Sequence, residues 1–434
     1  MSKSVTFYPG TLSGEIRIPS SKSVSHRLLI AAALAQGESV VRRVDPSNDI
    51  RATVQVLSAL GASIRTEPNE DGSLDYHVTG IDPGRSTGTT EADCEESGST
   101  LRFLVPVAAA LGIPTRFTGH GRLPERPMAE LIEALTAHGT SVETPDGYTL
   151  PLTLGGQLKA GEYCLPGNIS SQYFTGLLFA LPLQNGDSVL RIAGKLESAA
   201  YIDLTIDALK TAGIHITRAS DSFIIPGNQR YVPFDTQAEG DWSQAVFFLA
   251  AGALGGEIRL TGLKRDSAQG DRKCVDILRR FGAQIDWQGD VLYSHSGHLN
   301  GCTIDAAQIP DLVPALAACA CQCSGETRIT GAGRLRLKES DRIESTCAMI
   351  RALGGIAEPD EDGLTTRFSA LHGGDIHSFN DHRILMSAAV LALRADGPVT
   401  VDQAECVNKS YPRFFEDYRT LGGIADVIDI RDKL

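Results

Sequence analysis

The sequence predicts an α/β fold of two domains, each assembled from three copies of one supersecondary unit. Three observations carry this. The chain has 434 residues, more than one hydrophobic core usually serves. A helix ending in Leu-x-x-x-Gly, or a close variant, recurs at intervals of roughly 70 residues, longer than common solenoid repeats. Between those endings lie Ala- and Leu-rich segments that are apolar on nearly every face, the pattern of buried helices.

In chain order, Met1-Ser2-Lys3-Ser4-Val5-Thr6 reads as the start of a strand and not as a signal peptide. The first unit has a polar head at Ser20–Arg27, a buried helix over Leu28–Ala35, a strand over Ser39–Val44 and a second helix closing at Gly61. The second unit repeats this with Ser97-Gly98-Ser99-Thr100 and Arg102, a helix over Leu101–Leu111 and a close at Gly139. The third has Ser170-Ser171-Gln172, a helix over Phe174–Leu183 and Gly213. The fourth has a helix over Ala245–Leu254, a strand at Glu257–Leu260 and Gly282; the fifth a helix over Leu312–Cys323 and Gly354. The sixth has Asp381-His382-Arg383, a helix over Ile384–Leu393 and Gly422. Each second helix carries Arg, Asp, Glu or Lys on one side, so it is expected half-exposed, and its terminal Gly suits a C-cap. Six units divide as three and three. The expected domains are 21–239 and 1–20 plus 240–434, with hinge crossovers near 19–21 and 237–241; ligands favour such interfaces.

Composition excludes several function classes. Apolar residues make up 42% and charged residues 21%, as in ordinary globular proteins. No apolar run reaches the roughly 18 residues of a membrane span. A net charge of −13 argues against nucleic acid and anionic membranes as partners. The nine cysteines are scattered and read as reduced, buried thiols of a cytoplasmic protein. Cys319, Cys321 and Cys323 lie in a helical stretch where alternate residues do not share a face, so no metal site is expected.

Against that acidic background, cations cluster at helix heads. Lys22 and Arg27 stand among Ser20, Ser21, Ser23 and Ser25. Free N–H groups and the helix dipole make such a head an anion site. Several heads built alike point to a small, strongly anionic substrate.

The motifs are Ser21-Lys22-Ser23-Val24-Ser25-His26-Arg27, Glu125-Arg126-Pro127-Met128, Ser170-Ser171-Gln172, Lys338-Glu339-Ser340-Asp341-Arg342, and Asn380-Asp381-His382-Arg383 followed by Lys409. Together, in this order from about Gly10 to the C-terminus, the chain resembles the 5-enolpyruvylshikimate-3-phosphate synthases. The resemblance implies an inverted α/β prism, two domains each of three βαβαββ-type repeats. It implies transfer of the enolpyruvyl group of phosphoenolpyruvate to the 5-hydroxyl of shikimate 3-phosphate through a tetrahedral intermediate, a step toward chorismate and the aromatic amino acids. It implies a cytoplasmic monomer with no metal or organic cofactor.

By the same resemblance, the N-terminal domain is the shikimate 3-phosphate side. The C-terminal domain is the phosphoenolpyruvate and acid/base side. Shikimate 3-phosphate is expected at Lys22, Ser23, Arg27, Ser170, Ser171, Gln172, Ser198, Tyr201, Asp311 and Lys338. Phosphoenolpyruvate is expected at Lys22, Gly98, Arg126, Gln172, Arg342, Arg383 and Lys409. Asp311 is assigned as base toward the hydroxyl, Glu339 as proton donor to the methylene carbon and Lys22 as a third participant. The chemistry suits these types: arginine binds two oxygens of a phosphate or carboxylate at once, and four anionic groups cannot share a site without cations.

Two positions depart from common family forms: Glu96-Ser97-Gly98-Ser99 replaces Asn-Ala-Gly-Thr, and Arg334 replaces an Asn near the shikimate ring. Retained Gly98 implies sensitivity to glyphosate, the family's phosphoenolpyruvate-competitive inhibitor. One alternative is the enolpyruvyl transferase acting on UDP-N-acetylglucosamine, but the loop Gly119–Met128 lacks that enzyme's usual Cys. The other is a non-catalytic phospho-sugar sensor on the same fold.

Overall fold

The computed structural model describes residues 3–82 and 88–429. They fall into two compact units, one of Ser20–Ala238 and one of Met1–Pro19 with Glu239–Leu434. The polypeptide passes from one to the other at residues 19–20 and again at 238–239.

The helices alternate between two kinds. In the 20–238 unit, α1 (Lys22–Leu34), α3 (Gly98–Leu111) and α5 (Ser171–Ala180) are buried along most of their length. Between them run α2 (Asn48–Ala59), α4 (Ala129–Ala137) and α6 (Ala199–Thr211), each with one wet face. The other unit repeats the plan. Here α7 (Trp242–Ala253), α9 (Val313–Ala320) and α11 (His382–Ala392) are buried, while α8 (Cys274–Phe281), α10 (Arg342–Ala352) and α12 (Phe414–Thr420) are amphipathic. Each unit has its own hydrophobic core, around Leu29, Phe103, Phe174 and Leu177 in one and Phe247, Leu316, Leu385 and Leu391 in the other.

Gly61, Gly139, Gly213, Gly282, Gly354 and Gly422 follow the amphipathic helices at φ between +76° and +119°. This left-handed conformation closes a helix end and is cheap only for glycine.

Five of the six buried helices begin earlier than their apolar runs, at Lys22, Gly98, Ser171, Trp242 and His382. The reason is capping. Ser21, Ser97, Ser170, Asp241 and Asp381 each accept a backbone N–H of the first turn, so the polar head is itself helical. The apolar run Phe174–Leu183 is α-helical only to Ala180. Leu181–Leu183 tightens to a 3-10 turn around Pro182, which has no N–H to give. The run Leu312–Cys323 likewise stops at Ala320.

Among the described residues the strands form six four-stranded sheets of one pattern. A parallel edge pair is followed by two antiparallel pairings, as in Asp235–Gln237 beside Glu38–Val44, then Leu74–Thr79, then Ser63–Pro68. Strands from outside a repeat complete three sheets. Asp235–Gln237 completes the first repeat, and Ser13–Arg17 pairs parallel with Glu257–Thr261 of the fourth. Lys3–Phe7 lies between Val399–Val401 and Ala425–Asp429, with Val5 opposite Val401 and Val427. Among the described residues, no helix is long and apolar enough to cross a membrane.

Candidate active site

In the 20–238 unit, the heads of α1, α2, α3 and α5 are tied together by polar contacts. Lys22 donates to Asp49 at 2.7 Å. The Asp49 carbonyl lies 3.5 Å from the Thr100 hydroxyl, which donates to Ser97, the cap of α3, at 2.7 Å. Thr53 bonds to both Thr100 and His26 Nδ1, each at 2.7 Å. His26 is fully buried, and burial pushes its pKa down to about 3, so the ring is neutral and structural.

Gly98 opens α3 beside the guanidinium of Arg126. A Cβ on Gly98 would stand 2.6 Å from Arg126 Nη1 and 2.9 Å from its Cζ. Gln172, at the head of α5, donates to Ser99 (3.0 Å) and accepts from Arg102 (2.8 Å). Arg102 also donates to the Pro127 carbonyl, bracing the loop that carries Arg126. Ser170 caps α5, which leaves Ser171 in its first turn. Ser198 precedes α6 at φ +53°, a strained position for a non-glycine residue, and makes no side-chain cap.

Arg27 is almost wholly buried. It is 2% exposed and donates to Thr205, Thr175 and the carbonyls of Ser23 and Tyr201, with its guanidinium 5.0 Å from the Phe103 ring centre. Burial pulls its pKa to about 9, which leaves it charged at neutral pH. It therefore clamps two residues that the sequence also singles out.

The second unit gathers Asp311, Lys338, Glu339, Arg342 and Arg383 into one cluster. Arg342, whose side chain is 2% exposed, donates to Asp381 (2.8 Å), Asp311 (2.9 Å) and Glu339 (2.8 Å). Burial opposes its charge, but Asp381, Glu339 and Asp311 outweigh that and raise its pKa. Arg383 donates to Asp311 Oδ2 at 3.1 Å, to the Asp311 carbonyl at 3.0 Å and to the Ser243 hydroxyl at 3.0 Å. Lys338 stands 3.7 Å from Asp311. Burial favours the neutral acid at Asp311, yet Arg383, Lys338 and Arg342 together hold its pKa well below the ordinary carboxylate value.

The order of these residues follows from helix geometry. Asp311 lies in a 3-10 turn, Pro310–Leu312, just ahead of α9, whose cap position is Leu312. Its carboxylate faces Arg342, Arg383 and Lys338. Asp381 both caps α11 and grips Arg342. Lys409 ends the 3-10 turn Ala404–Lys409, which packs on α11, and is 8% exposed.

The two departures also have places. Glu96 packs against Gly121, with its carboxylate 4.0 Å from His120 Nε2. Arg334 donates to the Ala307 carbonyl at 2.6 Å.

Sequence reading missed Asp49, Asp381 and Ser243 as contributors. Asp49 had a signal, an acid in the first turn of α2 just after the cap Ser47. Asp381 stood in a polar helix head, but its grip on Arg342 joins residues far apart in sequence. Chemically, each unit by itself gathers cations at helix N-termini, and the Glu239–Leu434 part adds the carboxylates of Asp311 and Glu339. The class so defined is a transferase built around strongly anionic, low-molecular-weight reactants.

Known proteins narrow this. The family model for EPSP synthase (3-phosphoshikimate 1-carboxyvinyltransferase) matches residues 8–418. The 3-phosphoshikimate 1-carboxyvinyltransferase of Clostridium kluyveri is 43% identical over 98% of both chains. That of Clostridium acetobutylicum is 42% identical over 96% of this chain and 97% of its own. EPSP synthase from Acinetobacter baumannii superposes with a TM-score of 0.81 at 26% identity, covering 98% of this chain and all of that one. The enolpyruvyl transferase NikO from Streptomyces tendae shares the fold, with a TM-score of 0.79 at 18% identity, over 98% and 99% of the two chains. The chain belongs to the EPSP synthase family.

Proposed function

We propose that this chain carries out its family's reaction, transfer of the enolpyruvyl group of phosphoenolpyruvate to the 5-hydroxyl of shikimate 3-phosphate with release of phosphate. Phosphoenolpyruvate is held by Lys22, Arg126, Arg342, Arg383 and Lys409, with the backbone at Gly98 approaching closely and Gln172 alongside. Lys22, Ser23, Arg27, Ser170, Ser171, Gln172, Ser198, Tyr201, Asp311 and Lys338 read shikimate 3-phosphate. Arg27 supports Ser23 and Tyr201 through their carbonyls.

The observation that carries this reading is the Asp311 carboxylate among Arg342, Arg383 and Lys338. Alone, those cations make Asp311 a poor base. Substrate phosphates and carboxylates draw on the same cations and weaken their hold, so its proton affinity rises as the reactants arrive. Asp311 then takes the proton of the 5-hydroxyl while Glu339 protonates the methylene carbon of phosphoenolpyruvate. The new C–O bond forms at the central carbon, giving a tetrahedral intermediate. In the second step the roles reverse: Glu339, now a carboxylate, takes a proton back from the methyl group, Asp311 returns its proton to the departing phosphate, the C–O bond to phosphate breaks and the double bond re-forms. Lys22, held by Asp49, neutralises charge through both steps. Proton transfer and charge neutralisation suffice, so the enzyme needs no metal or organic cofactor. We place it in the cytoplasm as a monomer.

The test is phosphate release under steady state. Turnover requires both substrates, and Arg126→Ala raises KM for phosphoenolpyruvate far more than KM for shikimate 3-phosphate. Equal effects on the two would refute the placement of Arg126, and binding without turnover would favour a sensor.

A further inference from the structure

The backbone leading into α11 is strained in a way the site above does not explain. Phe379, Asn380 and Gln403 have φ of +57°, +52° and +50°. Asparagine tolerates this region, but phenylalanine and glutamine rarely enter it, at a cost on the order of 1 kcal/mol or more each. Such a conformation persists only where surrounding bonds determine it.

One side-chain oxygen supplies much of that determination. Gln403 Oε1 accepts the Asn380 N–H at 2.7 Å and the Ser378 hydroxyl at 3.2 Å. Ser378 is fully buried, and its own hydroxyl accepts a second contact from the Asn380 N–H at 3.3 Å. Asp402, the neighbour of Gln403, fixes the other side of the turn. Its Oδ1 accepts the Ser378 N–H at 2.7 Å, and its Oδ2 bonds to His377 Nδ1.

Two chain segments leave this knot. On one side the Asp381 N–H donates to the Ser378 carbonyl at 3.0 Å and opens α11, which carries Arg383 in its first turn. On the other, the Gln403 carbonyl accepts the Cys406 N–H at 3.0 Å and starts the 3-10 turn that ends at Lys409. We infer that Gln403 is a positioning residue for phosphoenolpyruvate, tying the turn that aims Arg383 to the turn that aims Lys409 and so fixing the spacing of the two cations. This rests on the reading that both cations hold phosphoenolpyruvate. Both bonds use Gln403 only as an acceptor, so a carboxylate can replace the amide and a thioether cannot.

The experiment measures KM for each substrate, kcat and thermal midpoint in Gln403→Met, Gln403→Glu and Lys409→Met. Gln403→Met keeps the length of the side chain and removes the strong acceptor. Its KM for phosphoenolpyruvate is expected to rise about tenfold, the scale of one lost hydrogen bond to a positioned group. KM for shikimate 3-phosphate stays unchanged, and Gln403→Glu stays within about threefold of the parent on the same argument. If Lys409→Met leaves the phosphoenolpyruvate requirement unaltered, the reading of Lys409 fails and the inference fails with it. If Lys409→Met raises that requirement but Gln403→Met does not, only the inference is overturned. It is also overturned if Gln403→Met raises both substrate requirements equally, or if Gln403→Glu is as impaired as Gln403→Met. Gln403→Ala, read by the same criteria, serves should the methionine variant not fold.

Discussion

Replacing Gly98 by alanine tests the phosphoenolpyruvate pocket through a single methyl group. The added Cβ would stand 2.6 Å from Arg126 Nη1, 2.9 Å from Cζ and 3.1 Å from Nη2. Ordinary contacts between such atoms are roughly 3.5 Å, so the guanidinium must retreat by about 1 Å. The backbone can accept alanine, because Gly98 is not among the positive-φ residues and sits at the start of α3. Alanine there costs nothing in helix propensity and restricts the unfolded chain, so stability holds or rises slightly. The effect falls on binding. A misplacement of about 1 Å in a charge-assisted pair weakens it by about 1.4–2.7 kcal/mol, a tenfold to hundredfold rise in KM for phosphoenolpyruvate. KM for shikimate 3-phosphate should move less than about twofold, since its proposed contacts do not pass through Arg126. The assay is steady-state phosphate release with each substrate varied in turn, beside a thermal melt. An unchanged KM for phosphoenolpyruvate, or a parallel rise for both substrates at an unchanged melting point, refutes the argument.

Asp311 sets a pH dependence whose sign is fixed by its depressed pKa. Its stabilising contacts are fully present above the unfolded-state value of about 4 and fade as pH falls toward the lower folded value. Wild type should exceed Asp311→Asn by about 1.5–3 kcal/mol at pH 7, with the gap shrinking on acidification; urea unfolding of both from pH 7 to pH 3 checks this, and a gap that widens in acid sinks it. Thiol accessibility gives a simpler check. Cys164 is exposed, Cys302 is half-buried with its pKa raised by burial, and the remaining seven are buried. A disulfide reagent on the native protein should modify one thiol quickly, Cys302 slowly and the others only on unfolding, as counted by mass; several fast thiols would contradict the buried placement.

What could be read from the sequence was what neighbours dictate. The glycines after α2, α4, α6, α8, α10 and α12 announce their helix ends, because only a glycine is comfortable at those φ values. The burial of α7 and α11 follows from composition alone. The starts of the same helices were harder. Their first turns are polar, and an apolar run therefore begins late, as at Leu28 against Lys22. Pairings between distant segments were not legible. Nothing near Asp235–Gln237 says that it completes the first repeat's sheet. For the same reason most ion pairs of the cations were not legible. Glu339, three residues before Arg342, stood in the same motif, but Lys22 with Asp49, Arg342 with Asp311 and Asp381, and Arg383 with Asp311 join distant segments. A charge pair spanning dozens of residues leaves no periodicity to detect.

The strand Lys3–Phe7 has a consequence for biosynthesis. It is held between Val399–Val401 and Ala425–Asp429, so during synthesis it must wait for both of those later strands before its sheet can form. The Ser20–Ala238 unit has no such debt, since its sheets are complete once Gln237 emerges. One half can thus mature early in translation, while the other is sealed only once Ala425–Asp429 has emerged. Losing the Ala425–Asp429 strand would leave an open sheet edge in the later half, a template for aggregation, and would spare the earlier half.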